Sequence, residues 1–139
     1  MNILIAADGS AYTERTFALT NSKKWRGRNY SYTVLYVVPQ IPMRALSVLS
    51  REDVARYYEE EAETVFEPIR KFTEKNRMHM TFIYKVGKAA ETIARTAVEG
   101  DFDLIIMGTQ GEDSLTNRVM GSVVTGVMAR CETPVLLLH

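Results

Sequence analysis

The sequence predicts an α/β fold, a single doubly wound domain over residues 1–139 with a five-stranded parallel sheet and helices on both faces. Three observations carry this prediction. Five short apolar runs recur along the chain, centred near Ile3, Val34, Phe82, Ile105 and Leu136, and a segment with helical character lies between each successive pair. The first and fourth runs are continuous rather than alternating, which is how strands covered on both faces read. Strands and helices that alternate throughout make right-handed crossovers and therefore a parallel sheet. For five strands the flavodoxin-like order 3-2-1-4-5 is one common solution.

Taken in order, Asn2 to Ala7 is the first strand, and Asp8-Gly9-Ser10 stops it. Ser10 is placed as the N-cap of a helix running to about Trp25, with Ala11, Phe17, Ala18 and Trp25 on its buried side. Gly27 and Asn29 end that helix, and Tyr30 to Val38, rich in aromatic and β-branched residues, is the second strand. Pro39 and Pro42 make a loop to about Ser47. Its Ile41, Met43, Leu46, Val48 and Leu49 are more apolar than a loop needs. Cover for a ligand or partner, and packing over the next helix, both account for them.

Ser50 to Asp53 resembles a capping box with Asp in the acidic place. It opens a long amphipathic helix carrying Val54, Tyr57, Tyr58, Ala62, Val65, Phe66, Ile69 and Phe72, ending near Asn76 and bent at Pro68. Glu59, Glu60, Glu61 and Glu63 point in different directions from that helix and read as a solvated face rather than a metal site. His79 to Val86 is the third strand, and His79 has no companion at ligand spacing. The pairs Ala89/Ala90, Ile93/Ala94 and Ala97/Val98 repeat every four residues, a helix with one buried stripe that Gly100 closes at C′. Leu104 to Met107 is the fourth strand. Val123, Val124, Val127 and Met128 define the last helix, and Thr133-Pro134 turns the chain into the fifth strand, Val135 to Leu138. Gly126 costs that helix about 1 kcal/mol relative to Ala and is read as allowing close helix–sheet approach.

Bulk composition excludes several function classes. Seventeen basic and 17 acidic residues cancel, so a non-specific grip on nucleic acid or an acidic membrane surface is not expected. No stretch approaches the ~18 apolar residues of a membrane span. The lone Cys131 makes no internal disulfide and reads as a packing residue; a cytoplasmic setting is the expectation.

The chemistry concentrates after the fourth strand. Gly108, two residues, Gly111, nine residues and then Gly121-Ser122 bring a strand through a glycine loop to a helix N-terminus. Main-chain amides approach phosphate closely in such an arrangement, because no Cβ holds the ligand off. In the 3-2-1-4-5 order the winding reverses between strands 1 and 4, and ligands bind outside the carboxyl ends of the strands at that reversal. Asp8-Gly9-Ser10 and Met107-Gly108-Thr109 flank it. Gly121, Ser122 and Val123 set about half a positive charge against a phosphate without any net basicity. Arg118 stands in the loop where it could neutralise a phosphate. Each has a structural rival: Asp8 as a helix cap or Asx-turn, Val37 as core, Ser122 as an ordinary first-turn residue.

This spacing, together with Ile3 to Ser10, Val34 to Val38 and Pro134 to Leu138, resembles the nucleotide-binding signature of the universal stress protein family over nearly the whole chain. The resemblance implies the same 3-2-1-4-5 order, of the adenine nucleotide alpha hydrolase-like kind. It also implies ATP or a related adenine nucleotide as ligand, with Mg or Mn held mainly through the phosphates. Asp8 would then contact the nucleoside end, and Val37 would offer main-chain groups to adenine. Met107 would line the pocket, with Ala6 where members commonly carry proline. Gly108, Thr109, Gly111, Gly121, Ser122 and Val123 would surround sugar and phosphates. A homodimer through Val135, Leu136, Leu137 and Leu138 is implied, and that apolar edge carries no protecting charge or proline. One departure is Val124, where many members have a hydroxyl residue; the threonine here falls one place later, at Thr125.

Catalytic motifs are missing: there is no lysine before Ser or Thr at the end of a glycine loop and no Gly-x-Ser-x-Gly elbow. The function that the resemblance implies is stress-response signalling through nucleotide occupancy. A partner-binding member with an empty crevice is the alternative, and a slow nucleotide hydrolase or transferase a weaker one.

Overall fold

A computed structural model describes residues 1–108 and 121–138, leaving aside the side chain of Ala11. The elements are β1 (Asn2–Ala6), α1 (Ala11–Thr20), β2 (Ser31–Val38), α2 (Met43–Leu46), α3 (Arg51–Lys75), β3 (Met80–Val86), α4 (Ala89–Glu99), β4 (Leu104–Gly108), α5 (Ser122–Arg130) and β5 (Val135–Leu138). The five strands form one parallel sheet in the order β3-β2-β1-β4-β5, with Ile5 between Val34 and Ile106. Strand alternation sends Ile3, Ile5, Val34 and Ile106 to the face covered by Phe17 of α1 and by Phe66 and Ile69 of α3. Leu4, Leu35, Ile105 and Met107 go to the opposite face, under Ile93 and Ala97 of α4 and Val124 and Val127 of α5. Ile3, Leu4, Ile5, Ile105 and Ile106 have no exposed surface, as the continuous apolar runs require. No helix among the described residues is long and apolar enough to cross a membrane.

Four details depart from the sequence reading. Helix α1 stops at Thr20 and the chain continues in turns through Arg28, so Trp25 leaves the helix and packs edge-on to Tyr30. Its buried stripe is Thr13, Thr16, Phe17 and Thr20, whereas Ala18 is exposed. Those threonines qualify because Thr16 donates to the Tyr12 carbonyl (2.9 Å) and Thr20 to the Phe17 carbonyl (3.0 Å), leaving methyl groups to face the core. Second, the apolar stretch before α3 contains the short helix α2. Ile41 is buried, its N–H donating to the Tyr58 hydroxyl, whereas Met43 and Val48 stay exposed.

Third, Gly100 is not the left-handed C′ residue of α4. It is the C-cap at φ −86°, and Asp101 takes φ +53°. The Phe102 N–H reaches the Ala97 carbonyl and that of Asp101 the Val98 carbonyl, a Schellman ending. Glycine is required at 100 for space instead, since a Cβ there would lie 2.4 Å from the Phe102 ring. Helix α3 ends the same way, with Arg77 at φ +53°. Fourth, Gly126 serves helix–helix approach: a Cβ would lie 2.6 Å from the Ala90 Cβ of α4.

Other expectations hold. The Ser50 hydroxyl accepts from the Asp53 N–H at 3.0 Å and opens α3, which runs through Pro68 without ending. Glu63 leaves the acidic run to form a forked ion pair with Arg70, which holds its carboxyl below the usual carboxylate range.

Candidate functional site

The carboxyl ends of β1, β2 and β4 meet where the winding reverses. From β1 the chain turns toward α1 on one face of the sheet, and from β4 it continues to α5 on the other. The gap between these departures is the crevice that the sheet order nominates.

Ala6, Val37, Met107 and Val123 come together at the α4/α5 side of that crevice. Met107 is 4% and Val37 9% exposed, and Ala6 and Val123 pack against the same cluster. Register gives Val37 a further property. The Leu35 carbonyl accepts from the Ala7 N–H (2.9 Å), so Leu35 directs its main-chain groups toward β1, and Val38 directs its carbonyl to Gly87 beyond β3. Parallel strands alternate these directions residue by residue, so the N–H and C=O of Val37 face the space beyond the end of β1. β1 ends at Ala6, opposite Leu35, and supplies no strand partner there.

Asp8 is fixed by its own chain. Its Oδ1 accepts from the Ser10 N–H (2.9 Å) and the Thr13 hydroxyl (3.3 Å), an Asx-turn that also sets a carboxylate at the start of α1. The capping rival for Asp8 is thus part of the structure, and Thr13, which sequence reading passed over, is its locking partner. Ser10 occupies the N-cap position in extended conformation, but its hydroxyl makes no cap bond. Gly9, at φ +82°, makes the turn possible.

Gly108 pairs with Leu138 of β5. A Cβ on Gly108 would lie 2.6 Å from Cβ and 2.9 Å from Cγ of Tyr12, so the absence of a side chain here serves the approach of α1. Nothing in the sequence marks Tyr12, because its relation to Gly108 exists only in three dimensions.

Gly121 is the N-cap of α5 in extended conformation, with no side-chain cap bond. The first intrahelical bond runs from the Thr125 N–H to the Gly121 carbonyl, so the amides of Ser122, Val123 and Val124 precede the ladder. Ser122 is exposed. Val124, the departure from the family pattern, is 2% exposed in the core, and the Thr125 hydroxyl donates back to the Gly121 carbonyl (3.2 Å). Thr109, Gly111 and Arg118 lie outside the described residues. Among the described residues no group of three or more His, Cys, Asp or Glu could hold a metal ion.

Known proteins resemble this chain in sequence and in fold. The curated universal stress protein MJ0531 of Methanocaldococcus jannaschii is 27% identical over 138 residues, covering 98% of this chain and 80% of its own length. The solved structure of the hypothetical protein MJ0577 superposes with TM-score 0.81 at 25% identity, covering 99% of this chain and 94% of its own. That of a universal stress protein from Archaeoglobus fulgidus, in complex with dAMP, gives TM-score 0.69 at 21% identity, covering 100% and 98%. The universal stress protein family model matches from residue 1 to residue 139, and the chain belongs to that family.

Proposed function

We propose that the protein binds an adenine nucleotide in the crevice between β1 and β4 and acts in a cytoplasmic stress response through occupancy rather than turnover. One observation carries this reading: two sets of main-chain groups that lie outside the strand and helix ladders among the described residues, those of Val37 facing beyond the end of β1 and those at the start of α5, stand at the carboxyl side of one sheet reversal. Val37 would meet the edge of the base, with Ala6 and Met107 against its apolar faces. The amides of Ser122 and Val123 would meet phosphate oxygens, which suits a chain of zero net charge. Gly108, Thr109 and Gly111 would follow the sugar, Asp8 the nucleoside end, and Arg118 the phosphate charge, with Mg or Mn carried by the phosphates. The complex of the A. fulgidus relative with dAMP supports the ligand class. Occupancy is favoured over turnover because Asp8 Oδ1 is already engaged by the Ser10 N–H and the Thr13 hydroxyl.

Two copies would pair along β5, an edge strand whose four apolar residues are each only half-buried. Light scattering is expected to return a dimer at micromolar concentration.

Calorimetric titration with ATP, ADP and AMP in the presence of Mg tests the main reading. Micromolar binding is expected, lost by about tenfold or more in Gly121→Val, where a β-branched side chain would crowd the amides. No heat and no thermal shift at millimolar nucleotide would overturn it and leave the partner-binding alternative.

A further inference from the structure

The opposite face of the sheet holds a second opening that the nucleotide reading does not use. Helix α1 leans toward β4 and β5, and α3 lies on β2 and β3, so the two helices diverge above β1 and β2. They meet at one end, where the Phe17 and Phe72 rings are 6.4 Å apart. Between them lies a cleft of about 570 Å³. That is the size of a small-molecule site rather than of a packing defect.

Its chemistry is lopsided. The apolar part is Phe17, Val65, Ile69 and Phe72. The polar part supplies Asp8, Glu14 and Glu61 together with the Tyr36 phenol, and among the described residues no Lys, Arg or His lines it. The hydroxyls of Thr13 and Thr64 also face it, but their protons are committed elsewhere, to Asp8 Oδ1 (3.3 Å) and to the Glu60 carbonyl (3.0 Å). The Thr13 oxygen already accepts from the Asp8 N–H (3.4 Å), whereas the Thr64 oxygen is left as an acceptor. Pro68, in the same wall, carries no N–H, so the Thr64 carbonyl one turn earlier lacks its ordinary helical donor. Ser10 completes the wall, and its buried hydroxyl has no partner among the described residues. A buried polar group without a partner is costly. Among the described residues the lining thus carries three carboxylates and no cationic side chain beside its apolar floor.

We propose that the α1/α3 cleft is a binding site for a primary amine, a small molecule whose ammonium head meets the acceptors at the rim and whose aromatic or branched body lies on Phe17, Ile69 and Phe72. An ammonium supplies three N–H donors and the positive charge that the described lining lacks. The cleft and the nucleotide crevice lie on opposite faces of the sheet and share the Asp8-Gly9-Ser10 turn at the rim, so shifts at Thr64, Val65 and Ile69 distinguish this proposal from the nucleotide reading.

Tryptamine serves as the test ligand, with the neutral tryptophol and the anionic indole-3-acetate as controls of similar shape. Without nucleotide, titration to about 5 mM, a range that reads even millimolar affinity, is expected to give saturable NMR shifts at the methyls of Val65 and Ile69 and the amides of Thr13 and Thr64. Both controls should bind about tenfold more weakly, and so should tryptamine to the double variant Glu14→Gln/Glu61→Gln. Glu14 and Glu61 are exposed, so the variant should melt like the parent. The proposal is overturned if no saturable shifts occur at these positions, if the three compounds act alike, if the double variant binds tryptamine as the parent does, or if the shifts fall on Val37, Met107 and Val123.

Discussion

Replacing Gly108 by alanine separates two reasons for a glycine at the end of β4. If Gly108 exists only to admit a ligand, Gly108→Ala leaves the ligand-free protein as stable as before. The structure demands otherwise. The new methyl would lie 2.6 Å from the Tyr12 Cβ and 2.9 Å from Cγ, against about 3.5–4 Å for carbons in contact. A Cβ does not move with its rotamer, so α1 must shift by about an ångström. Overpacking of this kind costs about 1–3 kcal/mol, and an immobile neighbour argues for the upper half; the lower chain entropy of alanine returns about 0.5–1 kcal/mol. The net loss is about 1–2 kcal/mol, or roughly 3–8 °C in melting temperature for a domain of this size. Urea and thermal unfolding without nucleotide measure it. A double-mutant cycle locates the clash: Tyr12→Gly, which removes the offending Cβ, should couple to Gly108→Ala by about 1 kcal/mol, and Tyr12→Ala, which keeps it, should couple less. A Gly108→Ala protein as stable as its parent would refute the argument and return the glycine to the ligand.

Three further outcomes follow from geometry away from the crevice. Asp101→Gly should raise stability by about 0.5–1 kcal/mol by relieving a left-handed non-glycine residue, whereas Gly100→Ala should lower it by about 1 kcal/mol or more against the Phe102 ring; urea midpoints with opposite signs at adjacent positions are the check. Gly126→Ala should cost about 1–2 kcal/mol despite its better helix propensity, and Ala90→Gly in the same chain should recover part of this. Tyr32 has a buried hydroxyl without a partner among the described residues, and burial, aided by Tyr30, pushes its pKa up to about 12. The unfolded chain ionises this phenol near the ordinary value of about 10 and the folded one does not, so its contribution is intact below pH ~10 and is lost as pH rises toward ~12. Tyr32→Phe should therefore be about 1 kcal/mol more stable at neutral pH and should decline less between pH 10 and 12, and absorbance titration of the parent should show one late phenol; equal alkaline slopes for the two proteins would exclude this account.

The strand order, the alternation of elements and the crevice were legible because they follow from continuous apolar runs and crossover handedness, both of which are local or general. The position of Val37 was legible as part of a strand, but its outward-facing main chain depends on β1 ending two residues short of it, a matter of register. Threonine hid the true face of α1. Counted as a polar residue it breaks the apolar stripe, and only when its hydroxyl returns to a carbonyl one turn back does it behave as a small valine. Gly108 reads in sequence as a ligand contact, Gly100 as a C′ residue and Gly126 as a point of helix–sheet approach, because the sequence shows where a side chain is missing and not what stands next to the space. At Gly100, Gly108 and Gly126 that occupant is Phe102, Tyr12 and Ala90.

A threonine-faced helix grips its sheet weakly. Three of the four inward positions of α1 offer one methyl each, leaving Phe17 as the principal anchor, whereas α4 and α5 press Ile93, Val124 and Val127 onto the other side. Transient lifting of α1 should then cost less than lifting α4 or α5. Its amides would exchange with solvent deuterium well before those of α4, at a rate set by that excursion rather than by global unfolding.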